Sequence, residues 1–338
     1  MKHLSVLTCL FASLYSFEAQ AQEPYVLNFG TVAPDGTPWA EQLRDLETRI
    51  EKESNGRIQV NLFLGGSLGS EREMIQDVRR GERLQGGGFS TGSVGAELDV
   101  PELTLLELPY LFKNNAEADS VLDTIMYDAT EKALEAKGVT FYAWSENGWR
   151  CFATKGGAAT SPEELRKYKM RSQESSVHLD MYKAMEVQAI AKPVAEVLPS
   201  LNTGIVTGFD NTPLFSIAAG WITPVSHYTL SRHIYQPAAV MYSKGFVDSL
   251  PEDLKKIVLH DPAGESARGR KGVRELEAGL LSTIKEMNIT VVELNDAQQK
   301  SFRKTVRKPT HAAFLAQNPD MKALYAQVKT KLKSLRQK

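Results

Sequence analysis

The class of fold is decided by the stretch YVLNFGTVAPDGTP, residues 25–38. Apolar and polar residues alternate from Tyr25 to Phe29, which predicts a strand that Pro34-Asp35-Gly36 ends. Thr37 can cap a helix, and the proline that follows suits the first helical position. The stretch therefore predicts a strand followed directly by a helix.

The alternation of strand and helix signals continues after this stretch. Leu43, Leu46 and Ile50 recur at helical spacing until Asn55-Gly56, and residues 58–64 then alternate as a second strand. Ser70 and Glu73 form a capping box that opens another helix, which Gly81 ends. Strand, helix, strand and helix in this order predict parallel strands joined by helical crossovers.

Further elements are predicted later in the chain. Strands are expected at residues 139–144, 150–154, 169–171 and 187–192, and helices from Ser161 and over residues 175–186. From Pro251 to Met287 the pattern is helical except near Pro262. A helix of that length can brace two lobes of an α/β protein.

Composition and charge exclude some classes of function. The chain has 338 residues, with 40 Lys and Arg against 41 Asp and Glu, for a net charge of -1. This is typical of a globular protein of one large or two moderate domains. Binding to nucleic acid or an anionic membrane by bulk charge needs an excess of Lys and Arg, so we expect neither.

The N-terminus has the pattern of a secretory signal peptide. Lys2 and His3 precede an apolar run from Leu4 to Phe17, and Ala19-Gln20-Ala21 follows as a cleavage site. The run has about 14 residues, short of the about 20 that span a membrane. We therefore expect residues 1–21 to be removed and the product to be exported to a periplasm.

The cysteines bear on this expectation and on disulfides. Cys9 leaves a lipid anchor open as an alternative, although Val6-Leu7-Thr8 before it lacks small residues. After cleavage only Cys151 remains, which excludes an intrachain disulfide.

One motif is typical of an enzyme. Residues 88–92 fit G-x-S-x-G, the nucleophile elbow of α/β-hydrolases, with Ser90 as nucleophile and Asp210 and His233 as candidate partners. The context is unfavourable, because Leu84 to Gly88 make a poor central strand and Pro101 precedes any convincing helix. A glycine-rich loop after a strand is the favoured interpretation.

Metal and nucleotide sites are not predicted. The six histidines show no spacing of metal ligands, and one remaining cysteine does not support a structural zinc site. Residues 65–69, GGSLG, do not match the dinucleotide fingerprint, and there is no Walker loop. We expect neither a metal nor a cofactor.

Two arginines stand at the ends of short predicted strands, where ligands bind in doubly wound folds. Arg150 and Arg171 carry the side chain that grips a carboxylate through two parallel hydrogen bonds. Position alone still favours surface ion pairs for both.

The other candidate contacts also have structural interpretations. Residues 210–213, DNTP, favour a helix cap, although Asn211 offers a hydrogen-bond donor and an acceptor to a ligand. The aromatic residues Trp149 and Tyr235 are more typical of a core than of a cleft.

A set of motifs, taken in order, resembles a known family. The motifs are APDGTP at 33–38, GGSLG at 65–69, LPYLF at 108–112, KMR at 169–171, EVLPSLNTG at 196–204, GFDN at 208–211 and LP at 250–251. Their order and spacing are similar to those of the extracytoplasmic solute-binding subunits of TRAP transporters, the DctP-like group. The resemblance covers essentially the whole chain after the signal peptide.

The resemblance implies an α/β fold of two lobes with a ligand cleft between them, crossing strands and a long bracing helix. It places residues 22–147 and 237–276 in lobe I, and residues 148–236 and 277–338 in lobe II. Both lobes would enclose one ligand, and binding of this ligand would shift the population from the open to the closed form.

The resemblance also implies the site. The family's principal carboxylate-binding arginine falls on Arg171, a second basic position on Arg150, and the facing polar residue on Asn211. Cleft loops at 34–37 and 90–92 and the second crossing complete the predicted ligand-binding set, which is Arg171, Arg150, Asn211, Asp35, Thr37, Ser90, Thr91, Trp149, Tyr235 and Gln236.

Two departures from the family pattern affect this site. Thr212 stands between Asn211 and the proline that follows directly in many members, so Asn211 can be displaced as a helix cap. Arg171 is followed by a polar stretch, Ser172-Gln173-Glu174, and Glu174 can pair with it.

The implied function is capture of a small organic acid in the periplasm and its delivery to membrane-embedded transporter subunits, with no catalysis. Two alternatives stay open: an apolar ligand bound without the arginine clamp, and a secreted hydrolase that uses Ser90.

Overall fold

The computed structural model describes residues 23–337, so the predicted signal peptide, residues 1–21, lies outside the described residues. The strands in this range are β1 (Tyr25–Gly30), β2 (Ile58–Phe63), β3 (Gly86–Ser90), β4 (Val139–Thr154), β5 (Met170–Ser172), β6 (Ala189–Ala191), β7 (Gly208–Asn211), β8 (His227–Ser243) and β9 (Thr290–Glu293). The α-helices are α1 (Pro38–Glu53), α2 (Glu71–Arg80), α3 (Thr91–Leu98), α4 (Pro101–Leu105), α5 (Asn115–Val121), α6 (Tyr127–Glu135), α7 (Pro162–Leu165), α8 (Ser176–Ala184), α9 (Val194–Thr203), α10 (Pro213–Ala218), α11 (Lys244–Ser249), α12 (Glu252–Val258), α13 (Pro262–Glu286), α14 (Asp296–Gln317) and α15 (Lys322–Leu335). A π-helical turn joins α5 to α6, and a short 3-10 turn joins α14 to α15.

The described strands form one mixed sheet with the order β2-β1-β3-β8-β4-β7-β5-β6, and β9 pairs with β8. β1 runs parallel to β2 and β3, as the predicted crossovers require, and β5 runs parallel to β6 and β7. The local signals also hold: Thr37 caps α1, and Ser70 and Glu73 make both bonds of the capping box.

Two long strands join the halves of this sheet. β4 and β8 pair antiparallel from Val139 opposite Ser243 to Thr154 opposite His227. The second half of β8 pairs with β3, whereas the end of β4 pairs with β7. The sequence predicted two strands where β4 is continuous. The pairing shifts register between Glu146 and Gly148, so the strand bends without ending.

The interpretation of residues 84–88 as a poor central strand was wrong. β3 lies between β1 and β8, and α3 begins directly after it. A side chain at Gly86 would place its Cβ 2.4 Å from the Phe29 ring, and one at Gly87 would place it 2.3 Å from the Phe89 ring. The glycines therefore leave room for two buried aromatic rings, and packing overrides their low strand propensity.

The long helix near the C-terminal third is α13, which starts at Pro262, where the break was predicted. It packs along β4 and also contacts α1 and α10. Arg270 binds both carboxylate oxygens of Asp123 at 2.8 and 2.6 Å, and Arg274 binds both of Asp119 at 2.7 Å. These bidentate pairs fix the helix to α5 and the turn after it.

The last two helices cross the molecule. α14 packs against α8, and α15 packs against α5. Val328 and Leu332 of α15 lie in the same apolar cluster as Leu103 and Val121, and Arg336 pairs with Glu117 at 2.8 Å. The segment assigned to lobe II by resemblance thus returns to the elements assigned to lobe I. Among the described helices, none is both long and apolar enough to cross a membrane.

Replacement of Gly87 by Ala tests the packing of β3. Its new Cβ would overlap the Phe89 ring and approach the Gly30 carbonyl oxygen to 2.6 Å. We expect Gly87→Ala to lower the free energy of unfolding by about 1–3 kcal/mol, as overpacking does, and thermal denaturation measures the fall. Gly88→Ala is the matched control, because its Cβ meets only Leu43 at 3.9 Å. Equal stability of both variants would contradict this account.

Candidate functional site

A cleft of about 820 Å³ lies between the two halves of the sheet. Its first wall comes from the loop after β1, from α1, from β3 and from the start of α2 and α3. Its second wall comes from β4, β5, β7, α10 and the loop before α9. Residues of the two crossing strands, β4 and β8, form its floor. The cleft therefore lies where the two halves of the sheet meet.

Arg150 is buried on β4, with 1% of its surface exposed. Its Nε donates to Asp210 Oδ2 at 2.6 Å, and its Nη2 donates to the carbonyl oxygen of the same residue. Its Nη1 donates to the side-chain oxygens of Gln236 at 2.8 Å and of Gln173 and Asn211 at 3.3 Å. The protein itself therefore balances the charge of Arg150 and occupies its donors.

Asp210 is the buried anion that balances Arg150. Tyr182 donates its hydroxyl to Asp210 Oδ1 at 2.7 Å, and His233 Nε2 lies 3.4 Å from Oδ2. Burial works to raise the pKa of Asp210, but Arg150 and the neighbouring histidines hold it well below its ordinary value. The pair is thus an ionised carboxylate and a guanidinium inside the protein.

Arg171 on β5 is also buried, with 3% exposed, but its surroundings differ. Its Nε and Nη2 donate to the carbonyl oxygen of Lys192 at 3.0 and 2.7 Å, and its guanidinium lies 5.0 Å from the ring centre of Trp221. No described carboxylate lies within 4.0 Å of it, and the predicted ion pair with Glu174 is absent from the described residues. Burial and the charge of Arg150 lower the pKa of Arg171 to about 10.

This contrast defines the electrostatics of the cleft. Two guanidinium groups face it, but only that of Arg150 has an acidic partner within the described residues. The carbonyl of Lys192 and the ring of Trp221 orient Arg171 without neutralising it. The second wall therefore presents one buried and oriented positive charge without an acidic partner among the described residues, which favours a bound anion.

Side-chain amides connect the arginines to the floor. Gln236 Nε2 donates to Gln173 Oε1 at 2.7 Å and to Glu107 Oε2 at 3.1 Å. Asn211 Oδ1 accepts from Arg150 and, at 2.8 Å, from the backbone N–H of Thr212. Thr212 is the residue that caps α10, so Asn211 keeps its side chain on the cleft.

The first wall carries a half-buried acid, Glu71, opposite these groups. Glu71 accepts from the backbone N–H of Ser90 at 2.6 Å and from the hydroxyls of Ser90 and Ser93 at 2.7 and 2.6 Å. Burial raises the pKa of Glu71 despite these bonds. This wall therefore offers oxygen acceptors and hydroxyl groups, not a second cation.

Aromatic rings close one side of the cleft. Trp39 of α1 lies 5.9 Å from Phe215 of α10, and Phe215 lies 5.3 Å from Trp221. The Trp39 indole donates to the carbonyl oxygen of Glu146 at 2.6 Å. The rings bridge the two walls and give the cleft an apolar face beside its polar one.

The predicted ligand-binding residues fall into two groups. Those that line the cleft are Arg171, Arg150, Asn211, Ser90 and Gln236. Those that the structure places outside its lining are Asp35, Thr37, Thr91, Trp149 and Tyr235.

The second group has other partners. Asp35 is exposed and pairs with Arg44 at 2.6 Å, and Thr37 caps α1. Thr91 donates to Glu107 at 2.8 Å, Trp149 to Asn115 at 2.6 Å, and Tyr235 to Glu146 at 2.6 Å. Ligand contact remains a prediction for all ten residues.

Ser90 lacks the partners of a hydrolase nucleophile. The strand and helix expected around an elbow are present, yet Ser90 has relaxed angles of φ -65° and ψ 138°. Its hydroxyl bonds Glu71 and Ser93, whereas His233 bonds Ser231 and lies beside Asp210. Among the described residues, His233 and Asp210 therefore lie side by side, but neither forms a hydrogen bond with Ser90.

Sequence reasoning missed several lining residues. Glu71 lies one residue after the capping serine, and this position in the first turn of α2 gave no sign that its side chain lines the cleft. Gln173 stands two residues after Arg171, directly after the end of β5, and this position beside the predicted clamp was an available signal. No local pattern distinguishes Trp39 or Trp221 from core residues. No group of three potential metal-binding side chains occurs among the described residues.

Comparison with known proteins now bears on this site. The model of bacterial extracellular solute-binding protein family 7, DctP, matches residues 29–317. A solute-binding protein of Verminephrobacter eiseniae is 31% identical over 245 residues, which cover 72% of each chain.

Two solved structures share the fold. The sugar acid binding protein DctPAm of Advenella mimigardefordensis, in complex with galactonate, is 26% identical, with a TM-score of 0.87, over 92% of this chain and 99% of its own. A TRAP periplasmic solute-binding protein of Polaromonas, bound to D-erythronate, is 28% identical with a TM-score of 0.83, over 90% and 98% of the two chains. The architecture is therefore the two-lobed fold of TRAP periplasmic solute-binding proteins, and this chain belongs to bacterial extracellular solute-binding protein family 7.

Proposed function

We propose that this chain captures a sugar acid with a single carboxylate, an aldonate of four to six carbons, for a TRAP transporter. The observation that carries this proposal is the buried guanidinium of Arg171, which faces the cleft with no acidic partner among the described residues. A ligand carboxylate supplies the missing charge and forms charge-assisted hydrogen bonds. Its binding would also reverse the fall in the pKa of Arg171 that burial and Arg150 cause.

The rest of the cleft suits a hydroxylated chain. Side-chain amides and hydroxyls of Gln173, Asn147 and Ser93 line it, and Glu71 can accept hydrogen bonds from ligand hydroxyls. A second carboxylate would meet Glu71 in place of a cation. Galactonate and D-erythronate, the ligands of the two similar structures, each combine one carboxylate with a chain of hydroxyl groups.

The lobes are proposed to divide where β4 and β8 cross, with residues 22–147 and 237–276 in lobe I and residues 148–236 and 277–338 in lobe II. α15 is the exception within lobe II, since it packs on α5. The register shift before Gly148 lies at the division. Gln173 donates to Ser93 at 3.4 Å across the cleft, a contact that forms only when the walls are close.

The partners follow from this mechanism. Ligand binding stabilises the closed arrangement, which the membrane-embedded subunits then recognise. We propose export through cleavage after residue 21, and a protein that binds its ligand without converting it. The alternative function, binding of an apolar ligand, gives Arg171 no role. Substitution of Arg171 by Met therefore distinguishes it from binding of a sugar acid.

A thermal-shift comparison tests the ligand class. We expect galactonate to stabilise the purified protein by about 2.7 kcal/mol at 100 times its dissociation constant. Galactitol has the hydroxyl groups but no carboxylate, so it should give no shift at the same concentration. Equal shifts with both compounds would show that the carboxylate is not recognised.

Arg171→Met tests the clamp. Because it removes the charge that pairs with the carboxylate, we expect galactonate binding to weaken by about 2–5 kcal/mol, roughly 30-fold or more, in isothermal titration calorimetry. Arg166→Met is the control, since Arg166 is 39% exposed and pairs with Glu186 at the surface. Unchanged affinity in the Arg171 variant, or tight binding of an apolar compound that survives the substitution, would refute the proposed function.

Glu71 sets the preference for one carboxylate. We expect four-carbon dicarboxylates such as succinate to bind at least about tenfold more weakly than galactonate, because the second carboxylate would face Glu71. Glu71→Gln keeps the size of the side chain and removes its charge, so it should narrow the difference in affinity between galactonate and succinate. A preference that does not change in this variant would place the discrimination elsewhere.

A further inference from the structure

A second groove lies on the opposite side of β4 from the cleft. Trp149 lines this groove and Arg150 lines the cleft, because consecutive residues of a strand point to opposite faces. The groove is wide and open to solvent. It is built from the loop between α4 and α5, the first turn of α5, the crossing strands, α13, α14 and the residue after α15.

Positive charge is concentrated in this groove. The basic residues that line it are Lys113, Arg232, Arg303, Arg307 and Arg336, and the acidic one is Glu277. Arg336 pairs with Glu117, but the other four have no carboxylate within 4.0 Å among the described residues. The chain as a whole has a net charge of -1, so this local excess is not a property of its composition.

The charges also act on one another. Arg307 and Arg336 help to lower the pKa of the neighbouring Lys329, after the effect of its burial. Arg232 opposes the rise in the pKa of Glu277 that burial causes. Unpaired cations that repel each other destabilise the folded protein, and an anion between them would relieve that repulsion.

Tyr110 contributes a hydroxyl group, unpaired among the described residues, to the groove, and the backbone of Tyr110 and of Arg232 is strained there. Tyr110 lines the groove, and its buried hydroxyl oxygen has no hydrogen-bond partner among the described residues. Tyr110 has φ 53° and Arg232 has φ 41°, in the left-handed region that residues with side chains rarely adopt. The backbone N–H of Tyr110 donates to the carbonyl oxygen of His233 at 2.7 Å, which holds the loop in this conformation. Such strain is concentrated at sites with a function.

We infer that this groove is a second ligand site, for a small anion that carries several phosphate or carboxylate charges. Arginine forks bind both groups through paired hydrogen bonds, and Tyr110 supplies a neutral donor. Lys113 and Arg336 belong to elements packed with the first half of the sheet, whereas Arg232 lies on the other half of β8. The anion would therefore bridge both halves, behind the cleft. This inference does not depend on which ligand the cleft binds.

Isothermal titration calorimetry with inorganic pyrophosphate, and in a separate arm with citrate, tests the site and distinguishes phosphate from carboxylate recognition. We expect Arg303→Gln/Arg307→Gln to weaken binding of the recognised anion at least about tenfold. The matched control is Lys304→Gln/Lys308→Gln, which removes the same charge from exposed positions of the same helix that do not line the groove. The affinity of this control variant for the same anion should stay within about threefold of that of the unmodified protein.

Arg171→Met separates the groove from the cleft. It should leave pyrophosphate or citrate binding unchanged, while Tyr110→Phe should weaken it without loss of the folded state in circular dichroism. The inference is overturned by no binding of either anion at millimolar concentration, by equal weakening in the two double variants, or by loss of binding in Arg171→Met. The galactonate titrations decide the proposed function independently.

Discussion

The ion pair between Arg150 and Asp210 is the interaction on which the site depends. Both groups are buried, and two buried charges are tolerated only when they pair closely and satisfy their remaining hydrogen bonds. Asp210 stands on β7 and Arg150 on β4, so the pair fixes the neighbouring strands that carry one wall of the cleft. The amides of Gln173, Asn211 and Gln236 converge on the same guanidinium.

This arrangement explains why two similar arginines differ in what they can do. Arg150 has its charge balanced inside the protein, and its positive charge disfavours the cationic form of Arg171 nearby. Arg171 is oriented by a carbonyl oxygen and an indole ring, neither of which neutralises it. A fixed and uncompensated charge is preorganised for an anion, because little reorganisation is needed when the ligand binds.

The larger architecture serves the same cleft. β4 and β8 run through both halves of the sheet, and α13 is tied to α5 by bidentate arginine pairs. The two walls of the cleft therefore share a floor of two continuous strands, and α13, which packs along β4, is tied by these pairs to α5. On the other face of β4 the groove at Tyr110 gathers cations from the same two halves. The crossing strands thus separate two positively charged sites of different construction.

Local patterns and ordered motifs were sufficient to predict the main helices and strands and the family. Alternation of apolar residues placed β1 and β2, the capping box at Ser70 placed α2, and Pro262 marked the start of α13, because these signals act within a few residues. Ordered motifs were sufficient to identify Arg150, Arg171 and Asn211 as candidates. Short-range patterns carry this information since propensity and capping depend on near neighbours.

The roles of these residues depend instead on contacts between distant parts of the chain. Gly86 and Gly87 lie in a central strand because Phe29 and Phe89 occupy the space of their absent side chains. Trp149 and Arg150 are adjacent in sequence yet face different sites, and Glu71 reached the cleft through the packing of α2. Which arginine is neutralised depends on Asp210, which is 60 residues from Arg150. Charge compensation and close packing join distant parts of the chain, so no local pattern can specify them.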